Sequence, residues 1–245
     1  MAASTVTRPA TRTGGLALMA AVILMLFSAV FHPGGWLVGE PVDQTDFAET
    51  LRVMGDYASL AHLVTMLGIV GMLLYSYSFI TLWRVPQQSG LVGSSLRLGI
   101  LSSLFGWGLY IIAMGMRHMT IHLMQRSMEA GADQALFQAL ALNIYAAMAG
   151  IVLALVAVYP VSSILIGIGV ASRLRSMDIT KLASYGLALM GVAAGINFLL
   201  LQHVPDIGPE TLLLNNNYLL FFGSFCLFII GLAMYRGRSE LSSED

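Results

Sequence analysis

Histidine is the residue type in this sequence with the most chemical scope. There are five, His32, His62, His118, His122 and His203, against a single cysteine, Cys226, set in an apolar run. Neutral imidazole is the commonest protein ligand for transition metals and also holds haem iron. One cysteine excludes an internal disulfide framework, an iron–sulfur cluster or a cysteine-based zinc site. The run His118-Met-Thr-Ile-His122 has i, i+4 spacing, which places both rings on one helix face, where they can share one ion. Met114 continues that stripe one turn earlier. The adjacent glutamate of helical metallopeptidases is missing, so peptidase chemistry is not implied. Met116, Met119, Met124 and Met128 have the softness that suits copper, and equally the shape that fills an apolar helix face.

The elements that must position these rings are membrane helices. Of 245 residues, 57% are hydrophobic and 10% charged, with mean hydropathy +0.79. A soluble domain carries roughly 25% charged residues, so this composition has lipid as its solvent. A net charge of -1 excludes a strongly basic nucleic-acid binder. A spanning helix needs about 20 apolar residues. Six segments qualify, near Leu16–Phe31, Tyr57–Trp83, Leu96–Met116, Leu142–Val170, Leu182–Leu201 and Leu212–Tyr235. The fold class is therefore all-α, a six-helix transmembrane bundle over residues 16–235, with cytoplasmic tails at 1–15 and 236–245. Arg8 and Arg12 precede the first segment as in a signal peptide, but it ends in Phe-His-Pro-Gly-Gly-Trp instead of a small-residue cleavage site, and it reads as a retained helix.

Lys/Arg bias sets the orientation. With the N-terminus inside, the inner side holds Arg8, Arg12, Arg84, Arg97, Arg173, Arg175, Lys181, Arg236 and Arg238, and the outer side only Arg52, Arg117 and Arg126. Both termini are then cytoplasmic in a bacterial inner membrane, and all five histidines lie toward the periplasmic face. By helical rise His118 and His203 share a level, His62 lies slightly deeper and His122 about 6 Å further out. Asn143, Tyr145 and Asn215, Asn216 and Asn217 join the same layer, where amides need partners and at least one of three successive asparagines must face the bundle. Between the first two segments, Asp46-Phe-Ala-Glu49 has capping-box spacing, and Phe47, Leu51 and Met54 define a short amphipathic helix covering the bundle end. The third and fourth segments are helical from Arg97 to Arg126 and from Ala135 to Arg173, too long for a core of about 30 Å, which implies an antiparallel hairpin projecting outward. Gly191 and Gly195 form a Gly-x-x-x-Gly pair, read as packing within the chain. Pro160 removes a backbone donor from the fourth segment. No charge lies at mid-span, which argues against ion-coupled transport. Lys181, the sole lysine, lies in an inner loop, which argues against retinal attachment.

His32-Pro33 closing the first segment, followed by Ala61-His62-Leu63-Val64-Thr65 with Gly68 and Gly71, resembles a group of uncharacterised bacterial multi-pass membrane proteins. The likeness covers about the first 85 residues and implies no activity. Membrane cytochromes of the b type hold haem between histidines on separate helices, and His62 with His118 or His122 is similar in residue type alone. Seven-helix zinc hydrolases of the ceramidase kind share membrane histidines but neither the helix count nor a motif.

Three readings follow. The first is a haem or transition-metal (copper or zinc) protein serving electron transfer, with His62, His118 and His122 as ligands and His32 and His203 as further ligands or supporting donors. The second is a non-catalytic subunit that docks other membrane subunits. The third is a metal-dependent lipid hydrolase, for which Asp56 and Glu129 are badly placed as acid–base groups.

Overall fold

The structure is a computed structural model and describes residues 9–35, 37–85, 90–204 and 206–242. Arg8, with the first half of the expected N-terminal tail, and Trp36 lie outside the described residues. Seven α-helices follow one another among those described: α1 (Pro9–Val30), α2 (Phe47–Asp56), α3 (Ala58–Trp83), α4 (Leu91–Ser127), α5 (Gln134–Ala171), α6 (Ile179–His203) and α7 (Pro209–Tyr235). All but α2 are long and apolar enough to cross a membrane. This is the architecture of a multi-pass membrane protein. The helix α1 begins at Pro9, and the apolar stretch within it long enough to cross a membrane is Thr11–Val30. At the other terminus a 3-10 turn, Ser239–Leu241, folds back and buries Leu241.

The spans pack in chain order and close on themselves: α1 against α3, then α3–α4, α4–α5, α5–α6, α6–α7, and α7 back on α1. The faces turned away from these contacts carry exposed Leu73, Leu101, Phe105, Leu189 and Phe222. Backbone groups satisfied within each helix, and apolar side chains on the outer face, are what hydrocarbon requires. Because lipid removes the hydrophobic drive between spans, their cohesion depends on close packing of small residues. A side chain at Gly191 would come 2.8 Å from the Pro160 carbonyl oxygen and 2.9 Å from the Ile164 nitrogen, so α6 lies directly on the α5 backbone. A side chain at Gly15 would meet the backbone of Gly231 and Tyr235, joining the start of α1 to the end of α7. The Gly-x-x-x-Gly pair thus serves packing within the chain. Pro160 sits inside an unbroken α5.

The two ends of the bundle differ in chemistry. At one end the Arg97 guanidinium lies over the Trp83 ring at 5.4 Å, and Arg238 pairs with Asp178 and donates to Ser176 at 3.0 Å. The other end holds the histidines and a second apolar cluster built on the α4–α5 hairpin. Asp46 caps α2 by accepting from the Glu49 N–H at 3.0 Å, and Arg52 bridges Glu49 and Asp56 on the exposed face. The opposite face inserts Leu51 and Met54 into the cluster, and Phe47 packs edge-on to Tyr145 at 5.2 Å. The Asp46 cap and the i, i+4, i+7 apolar spacing thus produce the expected helix, which seats on the hairpin and on the start of α3. The reciprocal half of a capping box does not form, because the Glu49 carboxylate takes Arg52 and the Asp46 N–H donates to the Asp43 carbonyl.

Candidate functional site

His118 and His122 lie one turn apart on α4, and Gln125 extends the same face at i+7 from His118. His62 lies in the second turn of α3, which packs along α4, so its ring meets that face. The His62 and His118 Nδ1 atoms are 2.8 Å apart, with the rings nearly parallel and 5.1 Å between centroids. The His122 ring leans on His62 at 4.4 Å. The Gln125 Oε1 lies 3.3 Å from His62 Nε2. An amide oxygen only accepts, so with both rings neutral His62 carries its proton on Nε2 and its Nδ1 accepts from the His118 Nδ1–H. That leaves the His118 Nε2 lone pair, which is buried and has no partner. The ionisable groups that bear on His118 are His62, His122 and Arg117, all basic.

Next to this cluster, one residue earlier on α4, Arg117 turns into the bundle. The residue is 9% exposed, and its guanidinium donates to His32 Nδ1 at the end of α1. His32 is held by a turn in which Gly34, at φ +78°, donates to the Val38 carbonyl at 2.8 Å and accepts from Val42 at 3.0 Å. Just below, Ser28 Oγ donates to the Val64 carbonyl at 2.8 Å, locking α1 against α3. Burial, and secondarily the Arg117 charge, hold His32 well below the usual imidazole pKa, so the ring is neutral and its Nδ1 free to accept. The Tyr110 and Tyr145 phenols also bear electrostatically on the guanidinium, whose Nε is buried without a partner.

The five histidines therefore divide. His62, His118 and His122 come together; His32 belongs to Arg117. His203 ends α6 exposed, because α6 packs between α5 and α7 and places that end away from α3 and α4. Asn143 is exposed, as is Asn215, whereas Asn216 faces inward, as three successive asparagines require. The amide layer is organised elsewhere: buried Asn197 donates to the Leu212 carbonyl at 2.8 Å, joining α6 to the start of α7. The single outer polar layer inferred from helix depth is thus two polar regions, one on α3 and α4 and one on α6 and α7. Of the methionines, Met114 and Met124 are core residues of the hairpin cluster, and Met119 and Met128 are exposed. Among the described residues, no group of three or more His, Cys, Asp or Glu side chains is arranged to hold a metal ion as it stands.

Sequence reasoning passed over Arg117, counted only as an outer charge, and Gln125 and Asn197. The signal for Arg117 was available, since a charged residue within a long apolar helix is costly unless it has a task. No protein-family model matches this chain, and no curated protein or solved structure shows significant similarity to it.

Proposed function

We propose that this protein binds a transition-metal ion, copper or zinc, between His62 and His118, with His122 completing the ligand set, at the periplasmic end of a bundle whose termini are cytoplasmic. The observation that carries the reading is the 2.8 Å approach of two Nδ1 atoms from different spans. Ligands on one tetrahedral ion, each at about 2.0–2.1 Å, stand about 3.3 Å apart, so a small opening of the pair admits an ion. His122, tilted against His62, joins by a change of side-chain torsion. The same contact favours an ion over haem, because a porphyrin between axial rings needs a gap that two touching imidazoles do not leave. Bound copper would supply one-electron chemistry, and zinc a Lewis acid. This chain's own contribution is orientation, with Gln125 holding the far side of His62 so that Nδ1 faces its partner.

The test is elemental analysis of detergent-purified protein after exposure to copper or zinc and removal of excess. Wild type is expected to retain close to one equivalent. His62→Ala and His118→Ala are expected to bind more than about tenfold more weakly, and His203→Ala as wild type. Wild type that retains no metal overturns the reading, and a Soret band in its spectrum would transfer it to haem.

A second reading, a subunit that docks partners, draws on Met128 and Leu136, exposed by 56% and 52% at the hairpin tip. Co-purification of a stable partner, unaffected by the histidine substitutions, would favour it.

A further inference from the structure

We infer that Arg117 anchors a phosphate-binding site between α1, α4 and α5, adjacent to the histidine pair and independent of it. A guanidinium carries five N–H donors and a permanent charge. Here it is nine-tenths buried in the protein, its one hydrogen-bond acceptor among the described residues is the neutral His32 ring, and its Nε is buried with no partner. Its ion pairs with carboxylates are missing among the described residues, in contrast to Arg52, which holds two while exposed. Burying an uncompensated charge costs far more than one neutral hydrogen bond returns. The arrangement is complete only with an anion against the guanidinium.

Its position says which anion. The His32 acceptor lies two residues beyond the end of α1 at Val30, so Arg117 stands at the level where the shortest span ends and lipid headgroups begin. Phosphate is the abundant anion at that level, and the planar guanidinium fork matches two of its oxygens. Tyr110 on α4 and Tyr145 on α5, which bear electrostatically on the same charge, carry phenol hydroxyls that can donate as well. The phosphate can belong to an anionic lipid headgroup or be free in solution.

Delipidated protein in non-ionic detergent, with chelator present so that metal plays no part, is titrated with phosphatidylglycerol in mixed micelles and separately with inorganic phosphate. Native mass spectrometry and calorimetry read the binding. Wild type is expected to bind at least one probe more than about tenfold tighter than Arg117→Met. Binding of the lipid alone assigns the headgroup, and binding of inorganic phosphate assigns the free ion. Arg117→Lys keeps the charge but loses the fork, and is expected to be weaker by about tenfold, which keeps the test open if Arg117→Met fails to fold. No binding of either probe by wild type overturns the proposal, as does equal binding by wild type and variant.

Discussion

At the scale of single residues, the His62–His118 contact is governed by where protons reside. Two neutral imidazoles can share a hydrogen bond only if one supplies a lone pair at Nδ1 and the other a proton, and Gln125 decides which by claiming the His62 Nε2–H. Gln125→Ala should therefore release the His62 tautomer without touching an Nδ1 atom. The expected outcome is metal affinity lowered by about tenfold, as for other supporting donors, with imidazole ¹⁵N spectra showing mixed tautomers at His62; unchanged affinity and a single tautomer would show that Gln125 is a bystander. Arg52 and Arg117 make the complementary point about charge. Arg52 sits between Glu49 and Asp56 in solvent, where screening leaves such pairs little net worth. Arg117 has burial in place of solvent and a neutral ring in place of a carboxylate.

At the scale of helices, close contact is set by where a Cβ is absent. Gly191 of α6 lies against the backbone of α5 at Pro160 and Ile164, whereas nothing lies within 4 Å of a side chain placed at Gly115 of α4. Gly191→Ala is expected to push α6 off α5 and lower stability by about 1–3 kcal/mol, the usual cost of overpacking. Gly115→Ala is expected to be neutral or to stabilise α4 by about 1 kcal/mol. Thermal unfolding in detergent measures both, and equal effects at the two positions would refute the distinction. The helix α2 illustrates a simpler link from sequence to structure. Asp46 at the cap and apolar residues at i, i+4 and i+7 determine its start and its buried face, and the hairpin supplies the surface that receives it.

At the scale of the molecule, the two ends are held by different forces. The end with most of the basic residues joins the α5–α6 turn to the C-terminus through Asp178, which caps α6 and pairs with Arg238. The Arg238 hydrogen bond, and then the Lys181 N–H, pull the Asp178 carboxyl from 3.8 down to about 2. A depressed carboxyl stabilises the fold in full above its unfolded value and loses that contribution as pH falls through the folded one. Stability is thus expected to decline between about pH 4 and pH 2, and Asp178→Asn should remove that part of the pH dependence in acid unfolding curves. The bias of Lys and Arg toward this end predicts that it is cytoplasmic. With Cys226 replaced by serine, Glu129→Cys in the hairpin turn should react with an impermeant thiol reagent in intact cells, and Met177→Cys only after permeabilisation. The reverse pattern would invert the orientation.

What the residues determined by themselves is whatever depends on local periodicity and solvent. Apolar runs longer than the hydrocarbon core must be spanning helices. Asp46 with Glu49 must start a helix. His118 and His122, four apart, must share a face. Which helices are neighbours is decided by contacts between segments distant in the chain, and these follow from packing of glycines on backbones, for which apolar composition carries no address. Only the tertiary structure therefore set His62 against His118, gave His32 to Arg117 and left His203 apart at the end of α6. Helix depth places all five rings near one level, but whether rings at one level touch depends on the angular position of each helix around the bundle, and that is fixed by its neighbours.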